Sequence, residues 1–381
     1  MAQPPSYEKT SRLIARALGL TPESLESGFR PATQAELHQV VAMRRGLIGD
    51  RLSWDDEAYL AWRYHFGDPR RGRGDCWVLV RGGQVLGMVG SERLTLLHQG
   101  RAVDGLSVMD IAVLPEAEGF GLGVWMAMRI CRQAACVLAI GSNPKSRGIV
   151  SQVFSRLPDR RRLAYFISVR TLAGRRLARA PRWVAATAAA GADLGLRAWR
   201  ALALPAADAS LAVRPLTRFG AEADALLRQA HDDGEVAVQR SAEALNWRLF
   251  DIPRSRYTVW GAHDADGALC GYLAAQVQVS PGTGRLMAIE DCVAAPAQRD
   301  RVLRCLLAHL VREAVREACE RVSMIACHAP TEQALRRLGF LLHPIDHETL
   351  SMAGSDPGLA AAVAAGAPWQ LAGIHTDRDV F

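Results

Sequence analysis

Apolar and polar positions along this chain fall into short, strand-like runs bounded by glycine or proline, with stretches of helical period between them. The run Val108-Met109-Asp110-Ile111-Ala112-Val113-Leu114 is apolar and β-prone and is ended by Pro115, so it predicts a strand. Val124-Trp125-Met126-Ala127-Met128-Arg129-Ile130 predicts a helix. Between the two lies Glu116-Ala117-Glu118-Gly119-Phe120-Gly121-Leu122-Gly123, whose three alternate glycines therefore open the helix. Backbone N–H groups unpaired in a first helical turn, with the positive end of the helix dipole, hold an anion, and glycines let the main chain approach it closely. A pyrophosphate fits such a join. The dinucleotide fingerprint has a different spacing, G-x-G-x-x-G, and no acid stands at a strand end about 20 residues on to take a ribose.

The same order of elements occurs twice. Phe29-Arg30-Pro31-Ala32-Thr33 recurs as Val213-Arg214-Pro215-Leu216-Thr217, Trp62-Arg63 as Trp247-Arg248, and Gly83-Gln84-Val85-Leu86-Gly87 as Gly267-Ala268-Leu269-Cys270-Gly271. Asp110 with Pro115 matches Asp291 with Pro296, and Gln152-Val153-Phe154-Ser155-Arg156-Leu157 matches Gln333-Ala334-Leu335-Arg336-Arg337-Leu338. Five matches in register indicate a duplication. Each half reads as a strand, one or two helices, a hairpin-rich antiparallel sheet, the strand-turn-helix, a further strand, a helix and a closing strand. The second copy has no glycine after Pro296, where Ala297-Gln298-Arg299-Asp300-Arg301 follow. Side chains there would crowd a diphosphate, so the anion site is expected in the first half alone. The competing possibility is that Arg299 and Arg301 replace the glycines electrostatically.

Composition narrows the class. With 381 residues, 49% of them hydrophobic, the chain is long enough for two domains with full cores. A net charge of +7, from 46 basic and 39 acidic side chains, suits an anionic cofactor or surface. No zinc spacing, RNA motif or long basic tract points to a metal or to nucleic acid. The eight scattered cysteines lack C-x-x-C pairs and read as buried thiols in a reducing compartment. With no signal-peptide pattern and no apolar run near the ~18 residues of a spanning helix, a cytoplasmic location is expected.

With its strand and proline, the glycine segment resembles motif A of the GCN5-related N-acetyltransferases, whose consensus is Q/R-x-x-G-x-G/A; Leu338-Gly339-Phe340 also matches that family's usual final-helix ending. The resemblance implies a mixed α/β (α+β) fold of two tandem acetyltransferase-like domains, each a mostly antiparallel mixed sheet flanked by helices. The expected boundaries are an extension over 1–28, an intact domain over 29–170, a basic helical linker over 171–210, a degenerate domain over 211–352 and a tail over 353–381. It further implies acetyl-CoA or a longer acyl-CoA as donor, with Glu118, Gly119, Phe120, Gly121, Leu122 and Gly123 at its pyrophosphate; Asn143, Lys145 and Arg147, in the loop before the last helix of the first half, either contact cofactor phosphate or acceptor or form a solvated loop. The backbone N–H of Val113 or Leu114 would support the thioester oxygen. The chain departs from the family at Glu116 and Glu118, two carboxylates beside the turn, and at Phe154, which stands where a thiolate-protonating Tyr is usual.

Acyl transfer to an amine also needs a route for the proton. Asp110 is the first candidate base, since an acid inside an apolar strand is costly unless paired or open to a cleft. Because Asp291 holds the same place in the half without the turn, a role in fixing the fold is equally expected. Asp104 is the second candidate, His65 a third as an imidazole, and Tyr165 a proton donor from the following strand. Between residues 170 and 200 stand seven Arg, two Trp and one acid, Asp193. Such a segment either lies on an anionic bilayer or packs as an ordinary interdomain helix with arginines outward; the segment 11–18 is a weaker version. The function expected is N-acyl transfer to an amine of a lipid, such as a long-chain base, or of a cell-envelope saccharide, peripheral at the inner face of a membrane. The alternative is a non-catalytic acyl-CoA-binding protein that retains the fold.

Overall fold

The computed structural model describes residues 6–48, 57–68, 73–140, 147–157, 161–206, 208–231, 234–253, 255–280, 284–326, 328–343 and 350–375. Two compact units emerge, and neither is continuous in sequence. Unit 1 comprises 1–159, 346–367 and 375–381, and unit 2 comprises 160–345 and 368–374.

Unit 1 begins with α1 (Tyr7–Ala17) and α2 (Pro22–Gly28), followed by β1 (Phe29–Pro31), α3 (Leu37–Ile48), α4 (Glu57–Arg63) and β2 (Gly74–Arg81). Then come β3 (Gln84–His98), β4 (Arg101–Val113), α5 (Leu122–Ile130), β5 (Cys136–Ile140), α6 (Arg147–Val153) and β6 (Ser155–Arg156). Far down the chain, β15 (Leu350–Gly354) and α13 (Pro357–Ala364) complete the unit. Unit 2 opens with β7 (Arg161–Phe166), α7 (Arg170–Arg176), α8 (Arg182–Ala203), β8 (Ala212–Leu216), α9 (Ala221–Gln229), β9 (Val236–Val238) and α10 (Ala242–Leu249). It continues with β10 (Tyr257–His263), β11 (Leu269–Ser280), β12 (Gly284–Ala294), α11 (Arg299–Arg316), β13 (Arg321–Ala326), α12 (Ala329–Arg337), β14 (Leu341–His343) and the short β16 (Trp369–Gln370).

The sheet of unit 1 runs β1-β2-β3-β4-β5-β15-β6, and that of unit 2 runs β8-β10-β11-β12-β13-β7-β14. Neighbours are antiparallel except β4 with β5 and β12 with β13, which are parallel. The mostly antiparallel mixed sheets anticipated from the sequence are therefore present in both halves. The boundaries differ, because the closing strands are exchanged. Strand β7 follows unit 1 in the chain yet pairs with β13 and β14. Strand β15 follows unit 2 yet pairs with β5 and β6.

Helices bury one stripe each. In α11 the buried residues Val302, Leu303, Leu306, Leu307, Leu310 and Val311 recur at helical spacing and join Leu273, Ile289 and Val322 in the unit 2 core. Each such aliphatic side chain contributes roughly 1.5–3 kcal/mol of transfer free energy. In unit 1 the core gathers Phe29, Leu79, Leu86, Leu106, Val137 and Trp125. Residues 1–28 are not an appendage, because Ile14, Ala15, Leu18 and Leu25 belong to that core and Trp125 Nε1 donates to Ser11 Oγ at 2.7 Å. The segment 11–18 thus has its apolar stripe buried in protein rather than available to a bilayer. Residues 171–210 likewise carry α7 and α8 of unit 2 rather than forming a separate linker. The seven described cysteines are free thiols, and burial pushes Cys131 and Cys136 up to about 12.

Candidate cofactor site

The glycine segment lies where the sequence places it, between β4 and α5. Strand β4 ends at Val113, residues 115–117 form one 3-10 turn, and α5 begins at Leu122. Gly119 and Gly121 have φ of +88° and +83°, in the left-handed region that costs other residues roughly 1–2 kcal/mol. Gly121 is the N-cap, and the first bond of the helix runs from the Trp125 N–H to its carbonyl at 3.0 Å. The N–H groups of Leu122, Gly123 and Val124 stand ahead of that bond, at the positive end of the helix. Open space surrounds Gly119, where an added Cβ would meet nothing within 4 Å. Gly123 has a different task. A Cβ there would sit 2.7 Å from Ile149 Cδ1, so this glycine lets α6 close on α5. Leu122 is buried in the core, while Glu118 and Phe120 are exposed. Glu116 accepts a hydrogen bond from Gln84 at 3.2 Å.

Beside the turn, the edge of β4 is open. Pairing with β5 ends at Val108 opposite Ala139, whereas β4 continues to Val113. On the other side, the Leu114 N–H donates to Leu86 O at 2.9 Å. Amides alternate in direction along a strand, so the Val113 N–H points away from β3, toward the side that no described strand covers. Of the two amides anticipated for the thioester oxygen, Leu114 is committed to the sheet and Val113 faces the opening.

Asp110 lies in a bulge of β4. Met88 opposes Ala112 and Gly90 opposes Met109, which leaves Asp110 and Ile111 against Val89 alone. Its φ is +55°, and its carboxylate is buried against Arg44 at 3.1 Å and Tyr64 at 2.6 Å. Burial first, and then the Asp110 charge, hold the Tyr64 phenol well above its usual value, so it stays protonated and donates. Unit 2 repeats the arrangement with other partners: Asp291 sits at a bulge in β12, with Arg240 at 2.9 Å and 3.1 Å and the Tyr272 hydroxyl at 2.5 Å. A buried acid paired in both units, only one of which has the glycine turn, is placed to hold the strand.

The remaining candidates scatter. Asp104 is exposed on β4 opposite Thr95, nine residues before Val113 and so roughly 30 Å away at ~3.3 Å per residue. Tyr165 lies on β7 and therefore in unit 2, where it packs on Phe340 at 5.4 Å. His65 is half-buried next in sequence to Tyr64, its own N–H bonded to Gly74 O at 2.9 Å. Asn143 and Lys145 lie outside the described residues, and Arg147 is the first residue of α6 with its side chain also outside them. Sequence reasoning missed Arg44 and Tyr64. Arg44 could have been found, because it follows Val40 by four residues on the buried face of α3, where a charge requires a partner.

The equivalent join in unit 2 is closed. Residues 296–298 run directly into α11, with no counterpart of residues 118–121 and no glycine. Arg299 donates to Ala230 O at 3.3 Å and Arg301 pairs with Asp208 at 2.6 Å, so both guanidiniums are turned to protein groups rather than to an anion site. Asp300 adds negative charge to the first turn.

No family model matches the chain, and no curated protein matches it. Solved structures do. The fold is similar to that of a GCN5-related N-acetyltransferase from Anabaena variabilis, with a TM-score of 0.58 at 11% identity over 86% of this chain and 72% of that one. It is similar to a probable N-acyltransferase from Enterococcus faecalis, with a TM-score of 0.56 at 9% identity over 86% and 72%. It is also similar to Saccharomyces cerevisiae N-myristoyltransferase, solved with bound myristoyl-CoA, with a TM-score of 0.55 at 11% identity over 86% and 79%. At such identities the likeness is one of fold.

Proposed function

On a fold shared with the GCN5-related N-acetyltransferases, we propose that this chain is an acyl-CoA-dependent N-acyltransferase with one cofactor site, in unit 1. The observation that carries the reading is the pairing of an open helix N-terminus behind Gly119 and Gly121 with a β4 edge at residues 109–113 that no described strand covers. The first holds the pyrophosphate of CoA, and the second receives the extended pantetheine arm as a strand would be received. The Val113 N–H then polarises the thioester carbonyl. The acceptor nitrogen attacks that carbon, the C–S bond breaks, the amine proton leaves to solvent or a side chain, and the thiolate departs to be protonated. Among the sequence candidates, Asp110 positions the strand. The acceptor we assign is an amine of a lipid, such as a long-chain base, or of a cell-envelope saccharide.

Two measurements test this. Acetyl-CoA or palmitoyl-CoA at a hundredfold excess over Kd should stabilise the chain by about 2.7 kcal/mol, read as a rise in Tm. No stabilisation by any CoA ester sinks the cofactor site. Mass spectrometry of lipid and saccharide extracts from cells with and without the gene should show an amide-linked acyl chain missing. Unchanged extracts, together with no turnover on amine acceptors, would leave a binding protein without catalysis.

A further inference from the structure

Helix α8 confines its charge to one side and leaves the rest of its surface apolar. At about 100° per residue, its four charged residues Arg182, Asp193, Arg197 and Arg200 fall at roughly 0°, 20°, 60° and 0°, within a single narrow arc. Ala189 and Asp193, the buried residues of the helix, lie on that side, while Arg182 and Arg197 stay exposed along it. Asp193 is held there by Ser168 Oγ at 2.9 Å, the Val169 N–H at 2.9 Å and Arg170 Nε at 3.2 Å. The outward circumference carries no charge. It presents Trp183 at 70% exposure, Leu194 at 68%, Trp199 at 54% and Leu202 at 86%, separated by alanines and glycines. The two tryptophans are 16 residues apart, about 24 Å along the axis. Continuous apolar surface of this kind on a helix marks a contact with something that is not water.

The neighbouring α7 supplies charge. Arg170, Arg175 and Arg176 lie on this helix, which has no buried residue, and Leu172 is exposed beside them. Arg175 and Arg321 line a cleft between α7 and the strand ends at Phe166 and Glu320. Burial above all, and then the positive charges of Arg162 and Arg175, hold the Arg321 guanidinium below its usual value, with Glu320 opposing. A cluster of like charges facing a cleft favours an anion.

We propose that α7 and α8 form a membrane-contact surface, in which the outward face of α8 beds into the interface of an anionic bilayer and the Arg175–Arg321 cleft receives a lipid phosphate. Charge selects this occupant over a second copy of the chain. The exposed Arg175, Arg176, Arg179, Arg182 and Arg197 would meet their own kind across a two-fold axis, whereas anionic headgroups complement them. Trp183 near one end, Leu194 along the middle, and Trp199 and Leu202 toward the other end match a helix lying in the interfacial plane, and no described helix is long and apolar enough to cross it. The proposal deepens the acyltransferase reading and rests on it for its purpose, because a lipid amine is presented at such a surface.

The test is flotation of the full chain with vesicles of phosphatidylcholine alone or mixed in equal parts with phosphatidylglycerol. The chain should float with the mixed vesicles, bind less as salt rises, and bind neutral vesicles far more weakly. Leu194→Asp combined with Leu202→Asp should abolish flotation with Tm unchanged, since both side chains are exposed. Arg175→Gln should weaken binding about fivefold, the equivalent of ~1 kcal/mol for one arginine at an anionic surface. Equal binding to neutral vesicles, no binding to either, or flotation of the double variant would overturn the proposal. So would a dimer in light scattering that the double variant dissolves. Acyl-CoA stabilisation measured on the same samples separates the two readings: its absence strikes the cofactor site, while failed flotation with CoA stabilisation intact strikes only the surface.

Discussion

Residues 115–122 and 296–299 descend from one pattern and end differently. In unit 1 the 3-10 turn is followed by four residues, two of them glycines in the left-handed region, before the helix starts at Leu122. In unit 2 the helix starts at Arg299 without them, runs to Arg316 and has an acid in its first turn. Both units keep the bulge, the buried acid and the parallel strands that part beyond Val108 and Ile289. The scaffold that splays the sheet is therefore separable from the turn that makes the opening a site. A duplicated fold can shorten one loop while a buried acid paired to an arginine and a tyrosine still holds the strand.

The largest expected effect concerns the exchanged strands. A fragment ending at residue 170 carries β7 without its partners and lacks β15, so it should fail to show cooperative unfolding by circular dichroism; a stable, cooperative 1–170 fragment would contradict the pairing. Next come the buried acids. Asp110→Ala and Asp291→Ala each take from a buried arginine the carboxylate it pairs with, and each should cost about 3–5 kcal/mol in denaturant titrations. A cost confined to Asp110, or activity lost at Asp110→Asn without loss of stability, would restore a catalytic role and break the parallel between the units.

Smaller effects sharpen the contrast between the turns. Gly121→Glu should remove the roughly 2.7 kcal/mol of acyl-CoA stabilisation, whereas Arg299→Gly in unit 2 should leave it untouched in the same thermal-shift assay. Gly123→Ala should cost about 1 kcal/mol through the clash with Ile149, and Ile149→Val should relieve it. Tyr165→Phe is expected to be neutral or slightly stabilising, because its buried hydroxyl has no hydrogen-bond partner among the described residues. A fall in turnover for Tyr165→Phe would instead return that hydroxyl to the reaction.

Much of the site was legible because it is local. The strand, Pro115, the glycines and the helix are consecutive, and φ above zero at residues 119 and 121 is the conformation their side-chain-free backbone accepts. Strand β4 begins earlier than its apolar run, at Arg101, because its first half alternates exposed and buried positions rather than reading as continuously apolar. The Asp110 partners were not legible, since Arg44 and Tyr64 lie 66 and 46 residues away and nothing local couples them. The inward side of α8 was hidden too. Counting arginines and tryptophans identifies the composition of the helix, but only the Asp193 contacts show which way it faces.

By itself, the sequence determined that two similar units exist, that each carries a strand ended by proline ahead of a helix, and that one alone has glycines between them. These follow from periodicity, repeat spacing and the conformational freedom of glycine, all local or additive along the chain. The tertiary structure decided where residues 161–166 and 350–354 belong. Their short apolar runs specify a strand but no partner, and two sheets of common pattern offer the same vacancy, so only the assembled fold could assign each strand to the unit encoded elsewhere in the chain.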